Sequence, residues 1–333
     1  MFVFRLIVSC SFCVLLMAAQ AFATEVQLEP LGVSNQAPLA KLTGLPTLGR
    51  ARLLLAGNSE VSFSWDLASN YTLGKNANEQ VVFDGESHRL AVRLDHGLNA
   101  GWEVGVEVPM IAHREGFLDS FIENWHDLFG LPQGGRDQAT DNQLNYSYQK
   151  NSIPLFSLQD EEVGLGDLRL LLSRQLCRTE DSALALHVSL ELPTGDDDEL
   201  LGSGSVDLAI WLSGDRLWRS AGQRFALHWG GGLLVSDSGE VLSSQRRNLV
   251  GTGTLGLVWS KWSWLALQLQ LDAHTSLFED SDLRQIDEAS AQLAIGGAVA
   301  VADKTRLELA VVEDIVVDTA PDVSFHMRLS RRF

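Results

Sequence analysis

The chain has 333 residues, of which 45% are hydrophobic, and a formal net charge of −18. That length fits one large domain or two smaller ones, and the strong negative charge disfavours nucleic acid as a partner, because nucleic-acid phosphates would repel it. Beyond residue 23 the only cysteine is Cys177, which excludes an internal disulfide there.

Residues 1–23 have the pattern of an export signal. Arg5 precedes an apolar run from Leu6 to Ala19, and Ala21-Phe22-Ala23 is typical of a cleavage site. The run is too short for a spanning helix, which needs about 20 apolar residues. We therefore predict a cleaved signal peptide and an exported mature chain, whose net charge becomes −19 because Arg5 is lost.

Residues 24–50 contain Pro30, Pro38 and Pro46 and show no sustained hydrophobic period. This composition predicts an irregular segment. If the remainder forms a barrel, the segment is either a periplasmic tether or a piece that folds back into the lumen. The sequence leaves both arrangements open.

From residue 51 onward, apolar and polar residues alternate with a period of two, which predicts strands. The first three strands lie near 61–68, 89–95 and 102–110, and the clearest later one alternates from Leu184 to Leu192. Nine further strands are predicted at roughly 161–176, 182–193, 204–213, 223–235, 248–260, 263–275, 288–301, 305–316 and 322–333. Each is long enough to cross a bilayer at a tilt, since a spanning strand needs about 9–11 residues.

The connections between these strands alternate between short and long. The short ones, which we predict to be periplasmic turns, are Gly97–Ala100, Cys177–Asp181, Ser213–Gly222, Ser260–Trp262 and Ala302–Lys304. The longest connection is an insertion at residues 113–160. Outer-membrane barrels alternate their connections in this way. Tryptophans near predicted strand ends would form an aromatic girdle; they are Trp211, Trp218, Trp229, Trp259, Trp262 and Trp264.

The last strand, Val323–Phe333, alternates in the same way and ends on an aromatic residue. A terminal Phe333 is typical of the closing strand that the outer-membrane assembly machinery binds. We therefore predict an all-β fold, a transmembrane antiparallel up-and-down β-barrel of about twelve strands. It would lie in the outer membrane of a Gram-negative bacterium, with outer-membrane lipid around it.

The polar rows of these strands carry more charge than the core of a soluble sandwich tolerates. In a barrel they would face a water-filled lumen. The predicted lumen-lining residues are Arg89, Arg93, Glu103, Glu107, Asp167, Arg169, His187, Glu191, Asp207, Asp272, Arg306, Glu308 and Arg328. Their mixture of both signs would set the selectivity for a small solute, whose identity the sequence leaves open.

The insertion at 113–160 contains apolar residues at helical spacing. Phe117, Phe121, Trp125 and Phe129 mark one face of a short amphipathic helix in this long second outer loop. Such a helix would form a lid or constriction over the barrel, or it would pack against the rim. The polar run that follows, 133–150, is predicted to be a loop.

Two His–Ser pairs, His187 with Ser189 and His274 with Ser276, are the available candidates for nucleophilic chemistry. Neither lies in a recognisable catalytic motif, and the acidic run Asp196–Glu199 lacks the ligand spacing of a calcium loop. We therefore predict no catalytic residue, no metal site and no cofactor.

Several separate stretches resemble an uncharacterised Gram-negative exported family, domain of unknown function 3187. They are Asn35–Pro38, Gly44–Pro46, Phe83–Glu86, Phe117–Arg136 with its Trp125–Leu128 and Gly130–Pro132, Gly164–Asp167 and Glu191–Asp196. The resemblance implies an exported outer-membrane barrel and carries over no catalytic residue.

Together these features favour an outer-membrane channel or passive transporter for small polar or amphipathic solutes. Two alternatives remain open: a lipid-acting barrel enzyme, and a structural or adhesive barrel whose lumen is occluded. A barrel of this size can be filled by its own side chains or left open.

Overall fold

The computed structural model describes residues 25–118, 120, 142–316 and 319–333, and nearly all of its regular structure is β. Short 3-10 helices span Ala40–Leu42 and Asn99–Gly101. The strands are β1 (Ser59–Lys75), β2 (Glu79–Leu98), β3 (Trp102–Arg114), β4 (Asn145–Lys150), β5 (Ile153–Leu158), β6 (Glu162–Leu165), β7 (Leu168–Arg178), β8 (Ser182–Leu192), β9 (Asp207–Ser220), β10 (Gln223–Ser236), β11 (Leu249–Trp262), β12 (Leu265–His274), β13 (Ser290–Ala302), β14 (Thr305–Asp314) and β15 (Val323–Arg332). No helix in the described ranges has the length and apolar character that crossing a membrane requires.

Twelve strands, β1–β3 and β7–β15, form one closed antiparallel ring. The last strand pairs with the first, with Phe63 opposite Leu329 and Trp65 opposite Met327, so the ring has no free edge at this seam. Closure removes the unpaired donors and acceptors that an open sheet would expose. The prediction of a closed barrel of about twelve strands is confirmed.

Alternate side chains on each strand point to opposite faces of the wall. In β12, Leu267, Leu269 and Leu271 are 44%, 47% and 40% exposed on the outside, whereas Gln268 and Gln270 are buried inside. The other barrel strands follow the same arrangement, with leucine and valine outside and charged or amide side chains inside. The barrel is therefore apolar outward and polar inward, the reverse of a soluble protein.

One end of the barrel carries tight connections and the other carries long ones; we call them the turn end and the loop end. At the turn end, β9 and β10 are joined by Ala221 and Gly222 alone, both with positive φ, as a two-residue hairpin turn requires. The predicted turn Ser213–Gly222 is therefore wrong. Its first residues continue β9, with Ser213 and Asp215 in the inner row.

The tryptophans divide between the two faces of the wall. Trp102, Trp218 and Trp262 are exposed on the outside near the turn end. Trp211 instead lies in the lumen, stacked on His187 with ring centroids 5.1 Å apart, and Trp229 lies outside but in the middle of β10. The girdle prediction is wrong for these two residues, because Trp211 belongs to the inner row of β9 and Trp229 lies midway along β10.

The loop end is extended by short strands within the predicted insertion. The hairpin β4–β5 pairs with the first residues of β2, and β6 pairs with the last residues of β3. Residues 145–150 are therefore strand, and the prediction of a loop there is wrong. The predicted strand 161–176 is broken at Asp167, whose carboxylate accepts hydrogen bonds from the backbone nitrogens of Thr194, Gly195 and Ser203.

The predicted helix of the insertion falls largely outside the described residues, as do Phe121, Trp125 and Phe129, and so does the predicted signal peptide. Phe117 is exposed. Leu118 is buried against Leu67 and Val323, which belong to the outward rows of β1 and β15. The insertion thus begins by crossing the outer surface of the wall.

The outward apolar band gives a direct test of the barrel. Leu269 lies at the middle of β12, and replacing it with arginine in a lipid bilayer is expected to lower the free energy of unfolding by about 2–4 kcal/mol. Leu249→Arg, at the loop end of β11, is the matched control and should cost about 0–1 kcal/mol. Urea unfolding in lipid vesicles measures both, and equal costs would contradict an apolar band centred on Leu269.

Candidate functional site

The barrel lumen is occupied by the chain that precedes β1, which we call the lumen segment, residues 25–58. At the turn end, the Val26 nitrogen donates to the Ser263 carbonyl oxygen. At the loop end, the Asn35 side chain contacts His274 and the Thr319 carbonyl oxygen. The chain then descends until the Gly57 nitrogen donates to the Gly97 carbonyl oxygen. The lumen segment is therefore a long loop with both ends at the turn end.

Side chains of the wall bind the backbone of the ascending limb. The Gln270 amide accepts a hydrogen bond from the Leu31 nitrogen at 2.9 Å and donates one to the Leu31 oxygen at 3.2 Å. The next nitrogen, that of Gly32, donates to Glu308 Oε1 at 2.8 Å. The wall thus satisfies the backbone polar groups of this limb without a further strand.

Glu308 is the centre of a buried charge cluster on β14 and β15. Its carboxylate is fully buried and accepts hydrogen bonds from Arg306 and Arg328 as well as from Gly32. His326 lies between two carboxylates, with Nε2 2.9 Å from Glu308 Oε1 and Nδ1 2.6 Å from Asp66 Oδ1. This cluster joins the lumen segment to both sides of the β1–β15 seam.

The tip of the lumen segment is apolar. Leu39, Ala40, Leu42 and Leu45 pack in the largest buried cluster of the described structure. The wall and the loop-end hairpin contribute the other members, which include Val81, Phe83, Tyr146, Tyr148, Leu234 and Phe278. The lumen is therefore closed toward the loop end by hydrophobic packing rather than by charge.

The descending limb is held at a close approach to β9. The Gly44 nitrogen donates to Asp207 Oδ2 at 2.7 Å, and Asp207 is also paired with the buried Arg246 at 2.7 Å. A Cβ atom at Gly44 would lie 2.7 Å from the Asp207 Cβ, which explains the glycine at this position. The Arg169 guanidinium donates to the Leu45 carbonyl oxygen at 3.3 Å.

Two arginines of the lumen segment form ion pairs with the wall near the turn end. Arg50 contacts Glu60 at 2.9 Å and Asp95 at 3.1 Å, and Arg52 contacts Asp215 at 2.8 Å. Glu103, one of the predicted lumen residues, accepts a hydrogen bond from the Leu54 nitrogen at 2.7 Å. These contacts fix the last part of the segment immediately before β1.

The structure places the predicted lumen side chains on the inside of the wall, with Asp167 at its loop-end rim. Many of them are paired: Arg89 with Glu107, Arg93 with Asp95 and Arg169 with Glu191. Asp272 accepts hydrogen bonds from Thr254 and Gln270. Asp66, Gln270 and Arg246 also face the lumen but were not predicted to do so. The first two lie in polar rows that the period of two already marked.

The two His–Ser pairs are not brought together as a nucleophile and base. His187 is buried between Ser173 and Ser213, each hydroxyl 2.7 Å from a ring nitrogen, and it makes no hydrogen bond to Ser189. His274 contacts Asn35 and the Thr275 carbonyl oxygen, and the Ser276 hydroxyl donates to the Phe278 carbonyl oxygen. Neither histidine therefore activates the serine beside it in sequence.

Cavities remain at the turn end, near the loop end and between the lumen segment and the wall. The largest, about 600 Å³, opens at the turn end and is lined by Arg50, Arg52, Arg224 and neighbouring residues. A cavity of about 50 Å³ lies between the segment and β1, β2, β3 and β7, and one of about 40 Å³ lies near the loop end. The lumen segment therefore leaves a wide opening at the turn end and spaces of only about 50 and 40 Å³ at the other two sites.

Lys41 lies beside the cavity of about 50 Å³. Its ammonium nitrogen is buried and makes no hydrogen bond within the described structure. Burial, reinforced by the Arg89 guanidinium and opposed by the Asp66 carboxylate, lowers the pKa of Lys41 to about 7. Lys41 thus has a buried amino group that donates no hydrogen bond to any described carboxylate.

A closed twelve-stranded barrel with a polar lumen and an inserted N-terminal segment defines a class of protein with the fold of outer-membrane channels. The chain belongs to the family described as "Protein of unknown function (DUF3187)", which matches residues 6–333. No curated protein matches it.

Several solved structures align with this chain. The COG4313 outer membrane channel from Pseudomonas putida F1 aligns with a TM-score of 0.58 at 15% identity, covering 86% of this chain and 98% of that chain. The KdgM porin aligns at 0.41 and 8% identity, covering 82% and 99% of the two chains. The β domain of the Bordetella autotransporter BrkA aligns at 0.44 and 11% identity, covering 82% and 98%. At 15% identity, the similarity to the COG4313 channel concerns the fold alone.

The Gln270 contact to Leu31 predicts a measurable change in the order of the lumen segment. Gln270→Ala removes two hydrogen bonds worth about 0.5–1.5 kcal/mol each. Hydrogen exchange of residues 29–33 should then be about tenfold faster or more, since 1.4 kcal/mol corresponds to tenfold. The control is Gln292→Ala, which removes a buried lumen amide whose nitrogen has no partner in the described part of the chain. Equal exchange rates in both variants would contradict the stabilisation of this limb by Gln270.

The Glu308 cluster predicts a large loss of stability. Glu308→Gln removes the charge that compensates Arg306, Arg328 and His326, and breaking a buried pair costs about 3–5 kcal/mol. Glu279→Gln breaks an exposed pair with Arg247 and should cost less than about 1 kcal/mol. Urea unfolding of both variants in the same detergent makes the comparison; a small effect at Glu308 would show that the cluster is solvated.

Proposed function

We propose that the protein is an outer-membrane channel for the passive passage of small polar or amphipathic solutes, with the lumen segment as its gate. The turn end would face the periplasm and the loop end the exterior, and the outward leucine rows would contact outer-membrane lipid. The fold similarity to outer-membrane channels supports the compartment.

The observation that carries the proposal is how the lumen segment is attached. Between Leu28 and Leu54, no backbone-to-backbone hydrogen bond joins it to the wall in the described structure. It is held instead by hydrogen bonds to side chains such as Gln270, Glu308 and Asp207, by the ion pairs of Arg50 and Arg52, and by the apolar packing of its tip. Side-chain contacts can be broken one at a time, whereas sheet pairing is lost cooperatively. The lumen segment can therefore leave the lumen without breaking the strand pairing of the barrel.

The wall that the segment covers suits polar solutes. With the segment displaced, Arg89 with Glu107 and Arg169 with Glu191 would face the water of the lumen as ion pairs between adjacent strands. Rings of charged side chains of both signs set the selectivity of many pores. The cavity of about 600 Å³ at the turn end provides a wide vestibule at the periplasmic mouth.

A second function has one specific observation in its favour. The spaces left beside the lumen segment are about 50 and 40 Å³, which is room for only a few water molecules. A barrel that stays filled in this way would serve as a structural or adhesive element.

Conductance distinguishes these functions. Purified protein in a planar bilayer should show current steps, and a variant lacking residues 27–48 should show larger and steadier ones because the segment no longer fills the lumen. Gln270→Ala should increase the fraction of time spent open, and Gln292→Ala should leave it unchanged. If the deletion variant, shown by circular dichroism to be folded, passes no current, the barrel is structural and the channel proposal fails.

Assembly provides a further element of the proposal. Phe333 follows β15 and is 59% exposed on the outer surface. We propose that the outer-membrane assembly machinery binds this strand before it pairs with β1.

A further inference from the structure

The cavity of about 50 Å³ beside the lumen segment has an uneven distribution of charge. Its lining contains five cationic and two anionic side chains: Lys41, Arg89, Arg93, Arg169 and Arg328, against Asp66 and Glu107. The whole chain, by contrast, has a net charge of −18. The cavity is therefore a local positive region inside an acidic protein.

Three of the four arginines in the lining have carboxylate partners outside it. Arg93 pairs with Asp95 at 2.9 Å, Arg169 with Glu191 at 2.6 Å and Arg328 with Glu308 at 2.8 Å. None of these three carboxylates belongs to the lining. At these three pairs only the arginine lines the cavity, whereas Arg89 and its partner Glu107 both line it.

Lys41 stands apart from these arginines because no carboxylate is paired with it. The neighbouring carboxylate Asp66 is 2.6 Å from His326 and 3.9 Å from Arg89, and it forms no ion pair with Lys41. The buried Lys41 nitrogen lacks any hydrogen-bond partner in the described ranges. A buried ammonium without an anion or a hydrogen bond is costly, so an anion from solution would supply what the protein does not.

We propose that this cavity is a binding site for a small monovalent anion, a halide or a short carboxylate, held by the Lys41 ammonium and surrounded by the guanidinium groups of Arg89 and Arg93. The inference deepens the proposed function: a site of this kind beside the gate would make the channel prefer anionic solutes. A cavity of about 50 Å³ admits chloride or formate and excludes a sugar acid such as gluconate.

Anion binding can be tested by a measurement that does not depend on conductance. Thermal unfolding of the detergent-solubilised protein is measured at pH 6 and constant ionic strength while gluconate is replaced by chloride or by formate. A ligand that binds only the folded state raises the midpoint with its concentration. We expect a saturable rise for the wild type, its loss in Lys41→Gln, and its retention in Lys75→Gln, which changes an exposed lysine at the end of β1. No rise, or an equal rise in Lys41→Gln, overturns the site.

Selectivity is then measured in a planar bilayer with unequal potassium chloride on the two sides. The reversal potential of the wild type should show a preference for chloride over potassium, and in Lys41→Gln the permeability ratio should fall toward one. Replacing chloride with formate distinguishes a halide site from a carboxylate site. Absence of current in every variant would count against the channel and leave the unfolding result to decide the site, whereas a current with no Lys41-dependent binding would retain the channel and reject the site.

Discussion

The requirement that every backbone donor and acceptor be satisfied within the protein determines this structure. In lipid there is no water to replace a missing hydrogen bond, so a sheet that crosses a bilayer must close on itself. The pairing of β15 with β1 achieves that closure. Once the ring is closed, the side chains of each strand point alternately outward and inward. The apolar half then contacts the surroundings, and all remaining polarity is concentrated in one narrow lumen.

That concentration creates the second problem, which is how to stabilise many charges at close quarters. The wall solves most of it by pairing residues two apart on one strand, such as Arg93 with Asp95, or opposite each other on adjacent strands, such as Arg169 with Glu191. The lumen segment contributes the rest. Arg50 and Arg52 compensate carboxylates near the turn end, and backbone nitrogens of Gly32 and Gly44 compensate Glu308 and Asp207. Wall and segment are therefore electrostatically complementary.

Much of the wall was predictable because its signal is local. In β12, for example, leucine and glutamine alternate from Leu267 to Leu271. This pattern indicates which side chains point outward without information from any other part of the chain. The errors arose where local signals compete. Gly214 and Asp215 have the composition of a turn, yet they continue β9, and Asp167 breaks an alternating run because its carboxylate binds a neighbouring loop.

The contacts inside the lumen could not be predicted in the same way. Leu31 and Gln270 are 239 residues apart, and Gly32 and Glu308 are 276 apart. Residues 24–50 have no periodicity that would state their partners, and proline composition fits a tether as well as a lumen segment. The charged wall residues were recognisable, but the backbone groups that bind them have no sequence signature.

The path of the lumen segment bears on how the barrel is made. Because both limbs leave through the same opening, the loop can be inserted or withdrawn as a hairpin, and no chain end has to thread through the ring. The lumen segment is synthesised before the strands that enclose it, and β15, which closes the ring, is synthesised last. Residues near Gly32 and Arg50 would then contact their carboxylate partners before β15 pairs with β1. The barrel would close around a lumen segment that is already in place.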